Sequence, residues 1–413
     1  VKIGIDFGTT NSAVAVVGPD GAPRIVELGP GERVQRTVIH ASNEGRITFG
    51  NAAFRAYQDD DLTGRFLRSI KAFLPDDVPD TTLAGRRWSF PALVTAYLRF
   101  LIGRTEELLG EPVTSVVVGR PVRFHADPAR HALAVSRLER AVSDAFAGPW
   151  SLVPEPVAAA HRYELGLDRE RLVLVGDFGG GTSDFAVFRA GPGRTGDRVR
   201  DVVATSGVAQ AGDALDARFL DTFLSPAFGR GARWRNPRTK EVEEWRHPLT
   251  YQIQRLYALP LLRTRELEEG LVRVEPMMVD PAPVRRLRRL VFDDLGYPLA
   301  WSIEATKRAF SSEERPRFTF DEFHSPALDL ALDVDLPTYA AGAADLLAAY
   351  DAAVDEVLAL AGLADAGVDD VFLTGGTSQL PFVRGLFARR FGAERLAGAD
   401  AFTSVCEGLA LAG

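Results

Sequence analysis

One short glycine-rich module occurs twice in this chain, and no other feature restricts the fold as much. The first copy reads Ile3-Gly4-Ile5-Asp6-Phe7-Gly8-Thr9-Thr10-Asn11-Ser12. The second reads Leu174-Val175-Gly176-Asp177-Phe178-Gly179-Gly180-Gly181-Thr182-Ser183-Asp184. Each runs from an apolar strand through Asp-Phe into a glycine turn bearing hydroxyls, then out along a second apolar strand (Ala13 to Val17; Phe185 to Phe188). That is the pattern of a β-hairpin whose turn wraps an anion. Two such hairpins facing each other grip a polyphosphate from both sides.

Around the hairpins, strands alternate with helices. Thr114 to Gly119 reads as a strand, Ala129 to Phe146 as a helix, and Glu155-Pro156-Val157-Ala158-Ala159-Ala160 as the opening of another. A strand from Val199 to Ser206, a helix from Asp213 to Leu224, a buried strand from Asp370 ending at Gly375-Gly376 and a helix from Leu380 to Phe391 follow. This alternation predicts an α/β protein, and the doubled hairpin predicts a duplicated one. At 413 residues the chain exceeds one ordinary core. We expect lobe I over 1–165, with a small subdomain inserted at about 37–91, and lobe II over 166–413, with a helical insertion at about 213–310. The run Arg285-Arg286-Leu287-Arg288-Arg289-Leu290 lies in that insertion and reads as a solvated helix face, a partner surface being the alternative.

Composition narrows the function classes. Hydrophobic residues make up 46% and charged residues 25%, as in soluble globular proteins, and the net charge of −8 argues against a dedicated nucleic-acid binder. No apolar run approaches the roughly 20 residues that span a bilayer, and Val1 reads directly into a strand, so no targeting segment is expected. The expectation is a cytoplasmic monomer without membrane or nucleic-acid partners. The single Cys406 excludes an intramolecular disulfide and a cysteine zinc cluster, and its apolar surroundings read as core.

Backbone N–H groups hold phosphate only where no Cβ intervenes, which Gly8 allows in one turn and Gly179, Gly180 and Gly181 in the other. Thr9, Thr10 and Thr182 add hydroxyl donors. Asp6 and Asp177 end the strands that enter the turns. A carboxylate there repels phosphate directly but suits an outer-sphere anchor for Mg²⁺, with an Asx-turn cap as the alternative. Asp184, just past the second turn, suits the same water shell or the attacking water. Glu155 either complements a helix dipole or orients water or Mg²⁺. Gly375 and Gly376 end a strand where α/β folds place ligands.

Together these residues resemble the ATPase domain of the Hsp70 family, within the wider actin, sugar-kinase and Hsp70 fold group. The resemblance implies a duplicated ribonuclease H-like, actin-like ATPase fold with two lobes around a central nucleotide cleft. Ile3 to Ser12 is similar to the first phosphate segment, including Asn11, and Asp177 to Asp184 to the second. Glu155 to Ala160 and Ser404 to Ala410 resemble the two connecting helices, and Phe372 to Pro381, with Thr377, the adenosine segment. Glu304-Ala305-Thr306-Lys307-Arg308-Ala309-Phe310-Ser311 resembles the helix that clamps adenine and ribose. On a helix, Glu304, Lys307, Arg308 and Ser311 fall at i, i+3, i+4 and i+7 and so share one face, an amphipathic surface helix being the alternative. Lys71 lies where the family carries the lysine that reaches the transferred phosphate, or is an ordinary surface lysine. Arg120-Pro121 resembles the corner that relays nucleotide state, and Gly212-Asp213 the glycine-acid turn near the nucleotide.

The resemblance implies ATP or ADP with Mg²⁺, slow hydrolysis and lobe opening and closing in a chaperone-type role. Lys71, Glu155, Asp177 and Thr182 would be catalytic. Three departures stand out: Gln379 replaces the usual arginine on adenine, Phe402 falls near a usual acidic residue, and the Pro226 to Phe310 insertion is long and proline-rich. With the sequence ending at Ala412-Gly413, the expectation is a protein with neither linker nor substrate domain, similar in length and departures to the short bacterial YegD-like relatives. A sugar-type kinase and an actin-like filament former are the competing readings of the same fold.

Overall fold

The computed structural model describes residues 1–60, 63–192, 198–320, 328–398 and 403–412; Phe402 lies outside the described residues. The chain divides into two units, Val1–Gly212 with Leu347–Gly413, and Asp213–Leu346.

The first unit holds two mixed sheets with one plan. In the first sheet, Lys2–Phe7 pairs antiparallel with Asn11–Val17 and parallel with Ser115–Arg120, which pairs parallel with Trp150–Pro154. Pro23–Ile25 closes the far edge. In the second sheet, Arg171–Phe178 pairs antiparallel with Ser183–Ala190 and parallel with Asp370–Thr374, which pairs parallel with Leu396–Gly398, while Val202–Val208 forms the far edge. The duplication therefore extends from the hairpin to the strand order: edge, hairpin, then two parallel strands. This is the duplicated α/β architecture that the doubled motif implied, consistent with the actin-like fold that the family resemblance implied. Strands covered on both faces need apolar side chains throughout, and Ser183–Ala190 is buried at every position but Arg189. The strand expected from Val199 begins instead at Val202, after a 3₁₀ turn at Arg198–Asp201.

Two short helices join the sheets. Glu155–Glu164 packs on the second sheet and Ser404–Ala412 on the first. Where they cross, their backbones touch: a Cβ at Gly408 would lie 1.7 Å from the Ala158 carbonyl oxygen. Ser404–Ala412 meets its own sheet equally closely, since a Cβ at Gly4 would lie 2.3 Å from the Ala410 nitrogen. Ala158, Ala159, Ala160, Val173, Ala186, Phe372, Val405 and Leu409 form a single core across this crossing. Arg162 and Glu407 pair at its margin. Cys406 is core, its thiol donating to the Gly4 carbonyl at 3.5 Å, and burial pushes its pKa well up.

Within the first unit, Val38–Ala41, Ile47–Phe49 and Arg65–Arg68 form a small sheet backed by the helix Gly50–Asp59. The second unit is mainly helical. Its Ala282–Phe292 helix buries Val284, Leu287, Leu290 and Val291 on one face. The arginines of the other face are answered within the unit, Arg285 by Glu275 and Arg289 by Asp293 at 2.9 Å each, with Arg286 donating to the Leu328 carbonyl. No helix among the described residues is long and apolar enough to cross a membrane.

Gly408→Val forces the two helices apart and should cost about 3 kcal/mol in urea unfolding. Gly103→Ala, in the interior of Phe90–Leu109 where a Cβ meets nothing within 4 Å, should instead stabilise by about 0.5–1 kcal/mol.

Candidate functional site

Each hairpin is held by the phenylalanine after its aspartate. Phe7 and Phe178 are both fully buried, which fixes the strand ends and sets Asp6 and Asp177 at the mouths of the turns. The two turns face each other at close range within the first unit. A Cβ at Gly180 would lie 2.3 Å from the Thr10 hydroxyl oxygen, and one at Gly181 would lie 2.8 Å from that of Thr9. Glycine is needed here because the opposing threonines occupy the space; none of Gly179, Gly180 and Gly181 has a positive φ.

The first turn is also fastened from behind. The Thr37 hydroxyl donates to the Gly8 carbonyl at 2.9 Å and lies 2.8 Å from the Ser12 hydroxyl, while the Thr37 amide donates to the Thr10 carbonyl. Tyr97 completes this support, its hydroxyl donating to the Arg36 carbonyl at 2.6 Å. Neither residue was expected from sequence, because a lone threonine and a helix tyrosine carry no motif. The second turn meets the adenosine-like segment: the Gly212 amide donates to the Gly179 carbonyl, and a Cβ at Gly212 would lie 3.2 Å from the Thr377 hydroxyl. Gly375, at φ +84°, lets the end of its strand pass Phe178, whose carbonyl oxygen would lie 2.1 Å from a Cβ. Gly376 and Gln379 are exposed, the Gln379 amide donating to the Ser378 hydroxyl at 3.2 Å.

Lys71 is no surface lysine. Ser69 adopts a left-handed conformation (φ 54°), which turns the chain out of Arg65–Arg68 into the 3₁₀ turn Ile70–Phe73. A serine held there stores strain of order 1 kcal/mol. Lys71 is consequently buried, with Nζ 2.7 Å from Glu155 Oε1 and 5.7 and 5.9 Å from the ring centres of Phe7 and Phe124. Gly119 makes room for Glu155, whose Cγ would lie 3.2 Å from a Cβ there.

Three aspartates share this environment with one ammonium. Burial above all, then the charge of Glu155, pushes Asp6 up to about 7, with Lys71 opposing. Asp6 keeps some solvent contact, yet the protein around it is dense enough for burial to remain the largest cause. Burial and the charges of Glu155, Asp6 and Asp184 push Asp177 well up. Asp184 is fully buried and rises to about 7 through burial and Glu155, against the Thr182 hydroxyl and the amides of Val122 and Arg123. Its Oδ1 accepts from those amides at 2.7 and 3.3 Å, and its Oδ2 is buried with no hydrogen-bond partner.

An orphaned carboxylate oxygen among mutually repelling carboxylates fits a cation. Among the described residues no three His, Cys, Asp or Glu side chains converge as a direct ligand set, so the fit is to a hydrated ion held through its waters. Negative charge of this density also repels phosphate unless a cation intervenes.

Residues 76–231 match the model of the Hsp70 protein family. The chain carries an Hsp70-family nucleotide-binding domain. The matched stretch contains Glu155, the whole second hairpin, Gly212 and Asp213. The family makes it an Hsp70-like ATP-binding protein. The first hairpin, Lys71 and the segment from Gly375 to Gln379 lie outside that stretch, and the fold brings them to it within one unit.

Glu304, Lys307, Arg308 and Ser311, expected as a clamp from the resemblance, belong to the second unit. Lys307 pairs with Asp216 at 2.6 Å and Arg308 approaches Glu304 at 4.0 Å. One expectation is corrected: the helix ends at Ala309, so Ser311 stands in the following turn, where its hydroxyl donates to the Arg308 carbonyl at 2.7 Å. The Ser311 amide donates to the same carbonyl at 3.1 Å, a three-residue closure in place of the helical four-residue one, so the i, i+3, i+4, i+7 face does not extend to Ser311.

A carboxylate whose folded pKa lies above its unfolded value binds its proton more readily in the folded state. Its stabilising contribution is full below the unfolded value near 3.8 and is lost as pH rises through about 7. In EDTA, Asp184→Asn should therefore raise Tm by several degrees at pH 8 and have little effect at pH 5; equal effects at both pH values contradict the assignment.

Proposed function

We propose that this protein binds Mg²⁺–ATP at the paired hairpins of its first unit and hydrolyses it slowly. In this reading Gly8, Thr9, Thr10 and Asn11 cradle the phosphates from one side and Gly179, Gly180, Gly181 and Thr182 from the other. Asp6, Asp177 and Asp184 hold the waters of the cation, whose bound charge neutralises phosphate oxygens. Lys71 offers positive charge where it builds on the transferred phosphoryl group, and Glu155 orients both Lys71 and the attacking water. Thr182 adds a hydroxyl beside that water.

Gly212, Asp213, Gly375, Gly376, Thr377 and Gln379 are proposed for the nucleoside, as are Glu304, Lys307, Arg308 and Ser311. Those roles rest on the family resemblance, as do a chaperone-type output, a cytoplasmic location, a monomeric state and the likeness to YegD-like relatives. The observation that carries the reading is the buried Lys71–Glu155 pair set among Asp6, Asp177 and Asp184 in a chain that matches the Hsp70 family. That match also places it ahead of a sugar-type kinase or a filament former.

The decisive experiment is a thermal shift. Mg²⁺–ATP at 100 times its Kd should stabilise the protein by about 2.7 kcal/mol, and no shift at millimolar nucleotide would sink the proposal. Lys71→Ala should slow single-turnover hydrolysis by about 10³-fold while nucleotide still binds.

A further inference from the structure

We propose that Glu356 is a positioning residue that holds Asp184 in place through Arg123 and Ser206. The inference rests on the reading of Asp184 given above. Asp184 belongs to the second sheet, yet the two amides on its Oδ1 come from the loop that follows Ser115–Arg120 of the first. Those amides fix the carboxylate only while that loop stays in place. Arg123 fastens it, with Nη2 3.3 Å from Glu356 Oε1 on the helix Ala344–Ala361.

The other carboxylate oxygen of Glu356 is itself fixed. It accepts from the Ser206 hydroxyl at 2.5 Å, and Ser206 is 1% exposed in Val202–Val208. Its neighbour Gly207 is the register partner of Asp184, and a Cβ there would lie 2.7 Å from Asp184 Oδ1 and 3.5 Å from the Arg123 Cβ. The path from Ser206 through Glu356 to Arg123 thus closes around Asp184. With Oδ1 committed to the loop, Oδ2 is the oxygen left without a protein partner. Arg123 and Glu356 are 42% and 44% exposed, so solvent screens the pair and the expected effect is a few-fold.

The test uses the full chain and two readouts: the single-turnover rate of ATP hydrolysis, and the Mg²⁺ concentration giving half-maximal ADP affinity. Arg123→Ala and Glu356→Ala should each slow the rate about threefold to tenfold and raise the Mg²⁺ requirement by a similar factor. Cation-free Tm should stay within about 2 °C. The double variant should be no worse than the poorer single one, because both break one linkage. Glu356→Gln, whose Oε1 still accepts from Arg123 while its Nε2 donates to the Ser206 hydroxyl oxygen, should stay within about twofold of the parent. If the parent hydrolyses ATP in a Lys71-dependent way and Glu356→Ala matches it in rate and Mg²⁺ requirement, the positioning role is wrong. Strictly multiplicative single effects, or losses that only follow Tm, overturn it too. If the parent neither binds Mg²⁺–ATP nor loses hydrolysis with Lys71→Ala, the ATP reading fails first and takes this inference with it.

Discussion

The backbone contact between Ala158 and Gly408 is the constraint on which the first unit depends. Two sheets with the same strand order have no reason to meet unless something packs on both, and two short helices of small residues supply that. Large side chains at Ala158, Ala159, Ala160 or Gly408 would hold the helices apart and thin the core they share with Phe188, Phe372 and Leu409. Because each helix also lies on its own sheet, their separation sets the separation of the sheets. The hairpin turns, which spring from the sheets, inherit it.

The second dependence is electrostatic. Asp6, Asp177, Asp184 and Glu155 carry four acidic groups into a protected space against the single ammonium of Lys71. Left to itself such a cluster raises its own proton affinity, at a cost to the fold near neutral pH. A stable protein tolerates that arrangement when a ligand repays it, and the partnerless Oδ2 of Asp184 points to the same conclusion. The hydrogen bonds of Thr37 and the left-handed Ser69 show how much of the surrounding backbone is spent on holding these groups still.

Much of this was legible beforehand because it is local. Asp-Phe-Gly with flanking apolar runs specifies a hairpin from neighbouring residues alone, and its repetition specifies a duplicated fold. The helices at Glu155 and Ser404 were readable from small-residue composition and family resemblance. What escaped was support supplied from a distance. Thr37 reaches Gly8, Tyr97 reaches the Arg36 carbonyl, and the Val122 and Arg123 amides reach Asp184, all across gaps in sequence that no periodicity marks. The helix end before Ser311 was lost for the opposite reason, since a regular i, i+3, i+4, i+7 spacing continues past the point where the backbone stops being helical.

The sequence by itself determined the doubled hairpin, the alternation of strands and helices, and the kinds of groups available: carboxylates at strand ends, glycines and hydroxyls in the turns, a lysine and a glutamate in between. These follow from backbone conformation and side-chain type, which act within a few residues. Only the tertiary structure decided that Thr9 and Thr10 face Gly180 and Gly181, that Lys71 is buried against Glu155, and that one oxygen of Asp184 is held while the other is left over. Burial and charge coupling depend on which distant groups share a space, and only the packing of the two helices, Ala158 against Gly408, settles which groups those are.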